Sequence, residues 1–246
     1  MPQTLDDGVD TTRTPVIVSS GSSYLVVWRQ KDGAVDSFQA AVYSAGIWSA
    51  STLLETGDGT TSLPMLAASA TGYAVAWLQP DATTTRLYTN LYSAGSWGSA
   101  TAIENGDNPI GALALAANGN DYLVAFRQSD GVTDNLYASL FRNGSWSGPQ
   151  LLETADGAVG GVQVASNGSG FAVTWTQEVS GIDDAFALVY NGVWGAATPM
   201  EGGSGPVVFS PSSLLPCASG YCTTWLQRDP TAGINASVYR MWAVAF

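Results

Sequence analysis

A five-bladed β-propeller is predicted for this chain from three observations. One repeat of about 49 residues occurs five times, each copy reads as four short strands, and an orphan N-terminal segment completes the last copy. The repeat shows as aligned columns. Trp28, Trp77, Phe126, Trp175 and Trp225 open it, and Gln30, Gln79, Gln128, Gln177 and Gln227 follow two positions after each. Tyr43, Tyr92, Phe141, Tyr190 and Tyr239 form the next column, then Trp48, Trp97, Trp146, Trp194 and Trp242. Glu55, Glu104, Glu153 and Glu201 close four of the units.

The second unit shows the four antiparallel strands. Leu63 to Ser69 is a small-residue strand a, and a turn at Thr71-Gly72 leads into strand b, Tyr73 to Gln79. That run is continuously apolar, as in strands buried on both faces. A longer loop precedes strand c, Leu87 to Tyr92, and a tight turn at Ala94-Gly95 starts strand d, Trp97 to Glu104. Asn118-Gly119, Asn143-Gly144 and Asn191-Gly192 carry hairpin-turn chemistry at equivalent places. The blades fall near 11–56, 60–105, 109–154, 158–202 and 206–246 plus 1–7, as one domain over 1–246. The last unit stops in strand c. Gln3 to Asp7, with Asp6 placed 49 positions before Glu55, is expected to supply its outer strand and close the ring.

Composition narrows the chemistry. The net charge of −12 argues against nucleic acid and against anionic membranes, because both need clustered Lys and Arg. The absence of histidine removes the commonest general base and the commonest transition-metal ligand. No apolar run is long enough to span a bilayer. No signal peptide is visible; Met1-Pro2-Gln3 resembles a cloned start from which a secretion signal has been removed. Cys217 and Cys222 flank a tight turn and read either as a cross-strand disulfide, fitting an oxidising compartment, or as two reduced thiols. An extracellular or cell-surface monomer is expected.

In a propeller the b–c and d–a loops share one face, and 19 of the 20 acids map there, Asp121 being the exception. Arg29, Lys31, Arg127 and Arg228 flank the b–c loops. Solubility accounts for such a face; so would attraction of a cationic protein partner. No cofactor is expected. Calcium has weak signals in Gly57-Asp58-Gly59 and in Asp130 to Asp134, neither with the register of an EF-hand loop, so a metal site stays undetermined.

The Gln column has two readings. Its amides either satisfy backbone where strand b leaves the sheet or line five equivalent pockets for sugar hydroxyls. The Trp column is likewise core between blades or a set of stacking platforms for pyranose rings. Candidate ligand-binding residues are therefore Gln30, Gln79, Gln128, Gln177 and Gln227 with Trp48, Trp97, Trp146, Trp194 and Trp242. The inner strands, such as Pro15 to Ser20, Ala112 to Ala117 and Gly161 to Ser166, contain no acid, so no catalytic residue is assigned. Nothing matches a nucleophile elbow, phosphate loop or dinucleotide fingerprint. Glycosylation sequons stand at Asn143, Asn167 and Asn235, the first two in turns that Asn-Gly-Ser chemistry explains equally well.

The unit Tyr122 to Gly131, followed by Leu136 to Phe141 and Asn143 to Trp146, resembles the propeller repeats of bacterial exoproteins. It is also similar to propeller lectins with one sugar pocket per blade. Sialidase propellers carry an aspartate in the turn before the strand-d Trp, which Ser93 to Trp97 lacks. The resemblance implies a secreted, non-enzymatic, multivalent carbohydrate-binding protein gaining by avidity. The alternatives are an adhesion module using the acidic face, an amplified or engineered repeat scaffold, and a glycoside hydrolase with its site in the loops.

Overall fold

The computed structural model describes residues 3–6, 8, 11–55, 59, 61–81, 83–104, 106–153, 157–201, 206–218, 220–229 and 239–246. These form five antiparallel sheets and no helix, consistent with a five-bladed β-propeller. The chain divides into two compact units, Met1–Pro109 with sheets one and two, and Ile110–Phe246 with sheets three to five.

Each sheet follows one plan. Strand a is Thr12–Ser20 in sheet one, Met65–Ala68 in two, Ile110–Asn118 in three, Val159–Ser166 in four and Val207–Cys217 in five. Strand b follows as Ser23–Asp32, Gly72–Pro80, Asp121–Ser129, Phe171–Val179 and Gly220–Arg228. Strand c is Val35–Ser44, Thr85–Ser93, Asp134–Arg142, Ile182–Tyr190 and Tyr239–Ala245. In sheets two to four strand b is buried almost throughout, as its unbroken apolar run predicts: Tyr73 to Trp77 are all in the core. Within each unit the a strands of successive sheets are neighbours, Thr12–Ser20 beside Met65–Ala68, and Val159–Ser166 beside both Ile110–Asn118 and Val207–Cys217. The cores lie between sheets. Leu25, Val27, Phe38 and Leu54 of sheet one meet Val75 and Trp77 of sheet two, with Phe38 edge-on to Trp77 at 6.0 Å. Leu123, Leu136 and Leu152 of sheet three meet Val173 and Trp175 of sheet four.

Strand d departs from expectation. It breaks into two-residue pieces, Ser96–Trp97 and Thr101–Ala102 in sheet two, both pairing with strand c. In between, the Gly98 amide still reaches Leu91 O at 2.8 Å, so the segment bulges without leaving the sheet. In sheet four the turn is one residue shorter, and Trp194 meets Tyr190 only as an isolated bridge.

Sheet five corrects two columns. In sheets one to four the c-strand aromatic pairs with the first aromatic of strand b, as Tyr24 with Tyr43 and Phe171 with Tyr190. In sheet five Tyr221 exchanges backbone hydrogen bonds with Phe246 instead. Trp242 pairs with Trp225 and Tyr239 with Arg228, so Trp242 is a c-strand residue, and neither belongs to the column first given to it. The physical reason is a longer b–c connection. Trp28 precedes Tyr43 by 15 positions, as do the equivalents in sheets two to four, but Trp225 precedes Phe246 by 21.

Gln3 to Asp6 lie in no strand, and Asp6 accepts from Gly8 N (2.9 Å) in a local turn. Asp7 lies outside the described residues, and sheet five has three strands among them. Cys217 and Cys222 are joined in a disulfide across the a–b turn of sheet five.

The c–d turn has both central residues at positive φ, as two-residue hairpins of this hand require: Ala94 at 50° and Gly95 at 85°. Sheet three places Asn143 there (54°), a residue that tolerates this region better than Ala. Ala94→Asn should therefore raise unfolding stability by about 0.5–1 kcal/mol, read from urea denaturation with an unchanged slope.

Candidate active site

All five glutamines of the column are buried. The Trp28, Trp77 and Trp175 indoles donate from Nε1 to Gln30, Gln79 and Gln177 Oε1 at 3.2, 3.1 and 3.2 Å. From the other end of the amide, Gln79 Nε2 donates to Glu55 Oε2 (2.9 Å) and to Gly59 O (2.9 Å). Gln177 repeats this with Glu153 Oε2 (2.9 Å) and Gly157 O (3.0 Å). An indole, an amide and a carboxylate of the preceding sheet thus form a relay that ties the strand-b end to the loop entering its own sheet. Donors and acceptors match at each step, which lets Glu55 and Glu153 be buried. Gln79 and Gln177 thus spend both ends of their amides within the framework.

Trp48, Trp97, Trp146 and Trp194 are half-buried, each ring against its c-strand aromatic at 5.3, 5.3, 5.5 and 4.9 Å from Tyr43, Tyr92, Phe141 and Tyr190. These contacts brace the turn. Many loop acids are also engaged locally. Asp81 accepts from Thr83 N and Thr84 N, and Asp130 from Val132 N and Thr133 N, all within 2.8–2.9 Å. Those amides hold both carboxyls below the usual carboxylate range. Asp36 pairs with Arg29, Asp121 with Arg142 and Asp229 with Arg240. Among the described residues no three metal-ligating side chains converge; Gly57 and Asp58 lie outside them. Asn167 turns its side chain onto Ser169 N and Gly170 N, and Asn235 also lies outside the described residues.

Sheet four breaks the pattern. The strand-c residue opposite the glutamine is Ser37 in sheet one, Arg86 in two, Asn135 in three and Asp184 in four. In sheet two Arg86 neutralises its column glutamate, Glu104, at 2.9 Å and also reaches Asp107 at 2.7 Å. In sheet four Asp184 instead lies beside Glu201, like charge against like. Glu201 Oε1 accepts from Ala185 N at 2.8 Å. Its other oxygen is buried, and no donor among the described residues reaches it. Burial, and secondarily the Asp184 carboxyl, push Glu201 up to about 7. The next rung doubles the charge, for Glu178 pairs with Asp183 where sheet one sets Lys31 against Asp36. The result is a carboxyl that keeps a proton near neutral pH at the loop end of sheet four. The sequence held the signal in the Ser37, Arg86, Asn135, Asp184 column, which goes unremarked unless the pairing register is known.

No family model and no curated protein matches the sequence. Solved structures do match the fold. A Penicillium chrysogenum α-L-arabinanase complexed with arabinobiose is 12% identical, with a TM-score of 0.53 over 90% of this chain and 76% of that one. A Fusarium graminearum α-L-arabinofuranosidase with arabinobiose is 12% identical, with a TM-score of 0.54 over 95% of this chain and 80% of that one. The Fusarium graminearum α-L-arabinofuranosidase Arb93A with an iminosugar inhibitor gives 0.54 at 11% identity, over 96% and 81%. The fold is thus shared with sugar-cleaving enzymes. That finding overturns the likeness to propeller lectins, and with it the reading of the chain as a non-enzymatic, lectin-like binder.

Two outcomes follow for the buried groups. Gln79→Leu strands the Glu55 carboxylate and the Trp77 N–H, and should cost about 2–4 kcal/mol in urea denaturation; adding Glu55→Leu should recover part of it. Glu201 binds its proton more tightly folded than unfolded. Its contribution is complete below the ordinary carboxyl range and lost as pH rises through about 7. The urea midpoint should fall across that window, and Glu201→Gln should flatten the fall.

Proposed function

We propose that the protein is a carbohydrate-active hydrolase of the propeller type, with Glu201 as its proton donor and Asp184 as the neighbour that keeps the proton in place. The observation that carries this reading is the pair of neighbouring carboxyls, Glu201 and Asp184, at the loop end of sheet four, with one Glu201 oxygen buried and met by no donor among the described residues. Glycosidic cleavage needs an acid able to protonate the leaving oxygen at working pH, and a raised carboxyl meets that need. Because Asp184 lies against Glu201, the two act as one acid. The second carboxylate of a glycosidase stands about 5–9.5 Å from the first, on the other side of the bond. Exposed Asp183 and Glu178, at the same end of sheet four, are the candidates for it.

The fold likeness to enzymes bound to arabinobiose directs the substrate choice to arabinose-containing glycosides. The disulfide supports a place outside the reducing cytoplasm, where polymeric sugars are met.

Assay against aryl α-L-arabinofuranosides and arabino-oligosaccharides should show sugar release, with kcat falling above about pH 7 as Glu201 loses its proton. Glu201→Gln should lower kcat by about 10²–10⁴-fold. Asp184→Asn should move the alkaline limb to lower pH, because it removes a charge that favours the protonated acid. No release from any substrate, or a Glu201→Gln variant with unchanged kcat, would refute the assignment.

A further inference from the structure

Sheets one and two, within the N-terminal unit, enclose a pocket of about 250 Å³ at their turn ends, lined in part by Ser20, Ser23, Ser44, Thr71, Tyr73 and Tyr92. Its origin is visible by comparison with sheets three and four, where the equivalent positions are Asn118, Asp121 and Arg142 in place of the three serines. There the long side chains occupy the space. Arg142 Nε donates to Asp121 (2.7 Å), its Nη1 donates to the Tyr190 hydroxyl (3.1 Å), and its guanidinium lies 5.5 Å over the Tyr190 ring. Asn118, with its amide oriented to suit both ends, donates to Gly168 O (3.1 Å) and accepts from Gly170 N (3.2 Å). Serine at all three positions leaves that volume empty between sheets one and two while keeping its walls polar.

We infer that this pocket is a second binding site, for a neutral monosaccharide unit, separate from the carboxyls of sheet four. No lining residue carries a charge, which disfavours ionic ligands. The hydroxyls are set as a graded display. Ser20 Oγ donates to Ser69 O (2.6 Å), and Ser23 Oγ donates to Tyr43 O (2.9 Å) while accepting from the Tyr73 hydroxyl (2.8 Å), so both present acceptor lone pairs. Ser44 is exposed, and among the described residues neither its hydroxyl nor that of Tyr92 has a protein partner, so both remain as donors. The Tyr73 and Tyr92 rings supply apolar surface suited to the C–H face of a sugar. The volume lies just below the ordinary range for ligand pockets, which suits one ring rather than a chain. No residue of the glutamine and tryptophan columns lines the pocket.

The test is an amide NMR titration of the whole chain with free L-arabinose, D-galactose and D-glucose, one at a time. At least one sugar should shift the Thr71, Gly72 and Gly95 amides in a saturable manner. Ser20→Asn/Ser23→Asp/Ser44→Arg installs the side chains that fill the space in sheets three and four, and should abolish those shifts. Ser44→Arg alone, at an exposed position, should weaken them at least tenfold and serves if the triple variant does not fold. Absence of shifts at these amides with all three sugars, or equal shifts in the variants, overturns the proposal. Neither result bears on the pH–rate profile of Glu201, so failure here is distinguishable from failure of the hydrolase reading.

Discussion

The buried relay from indole to glutamine to glutamate is the constraint on which the rest of the structure depends. A carboxylate inside a β core is tolerable only when its oxygens meet donors, and the column glutamine provides one while its own oxygen is satisfied by the indole two residues before it. Because the glutamate lies 24 positions before the glutamine in the chain, the relay fixes the length of the connection between successive sheets as well as their approach. The same contact recurs two repeats apart, at Gln79–Glu55 and at Gln177–Glu153. It also explains why the column residue is Gln: the amide alone offers an acceptor to the indole and a donor to the carboxylate. The Gly carbonyl bound by the same amide nitrogen leaves no room for a larger residue, since a Cβ on Gly59 would lie 2.2 Å from Pro80 O.

Much of this fold was legible from the sequence because it is periodic. The apolar b strands, the paired turns and the absence of helix come from local patterning that every copy repeats. Three features were not legible. The breakage of strand d depends on bulges that leave no compositional mark. The place of Trp242 was obscured by a longer loop, since an aromatic near the expected spacing mimics the column when its pairing is unknown. The role of the glutamines turned on whether their amides face inward, and alternation along a strand buried on both faces does not decide that.

Departures from the repeat are where function concentrates. A structural column tolerates Phe126 for Trp because only one donor is lost. Asp184 is a different kind of change, placing a second carboxyl where sheet two has Arg86. Such a change sets like charge against like beside the buried Glu201. Ser20, Ser23 and Ser44 are short where sheet three carries Asn118, Asp121 and Arg142, and they leave the space that those side chains fill. The same repeat thereby yields two distinct environments, a pair of neighbouring carboxyls in one sheet and a hydroxyl-lined pocket between two others.

The claim that Glu201 holds a proton at neutral pH is tested most directly by titrating its side-chain carboxyl in the intact protein by carbon-13 NMR. The structure predicts a midpoint near 7. It also predicts a lower midpoint in Asp184→Asn, still raised because burial is the larger cause. A Glu201 midpoint in the ordinary carboxylate range, unmoved by Asp184→Asn, would contradict the account.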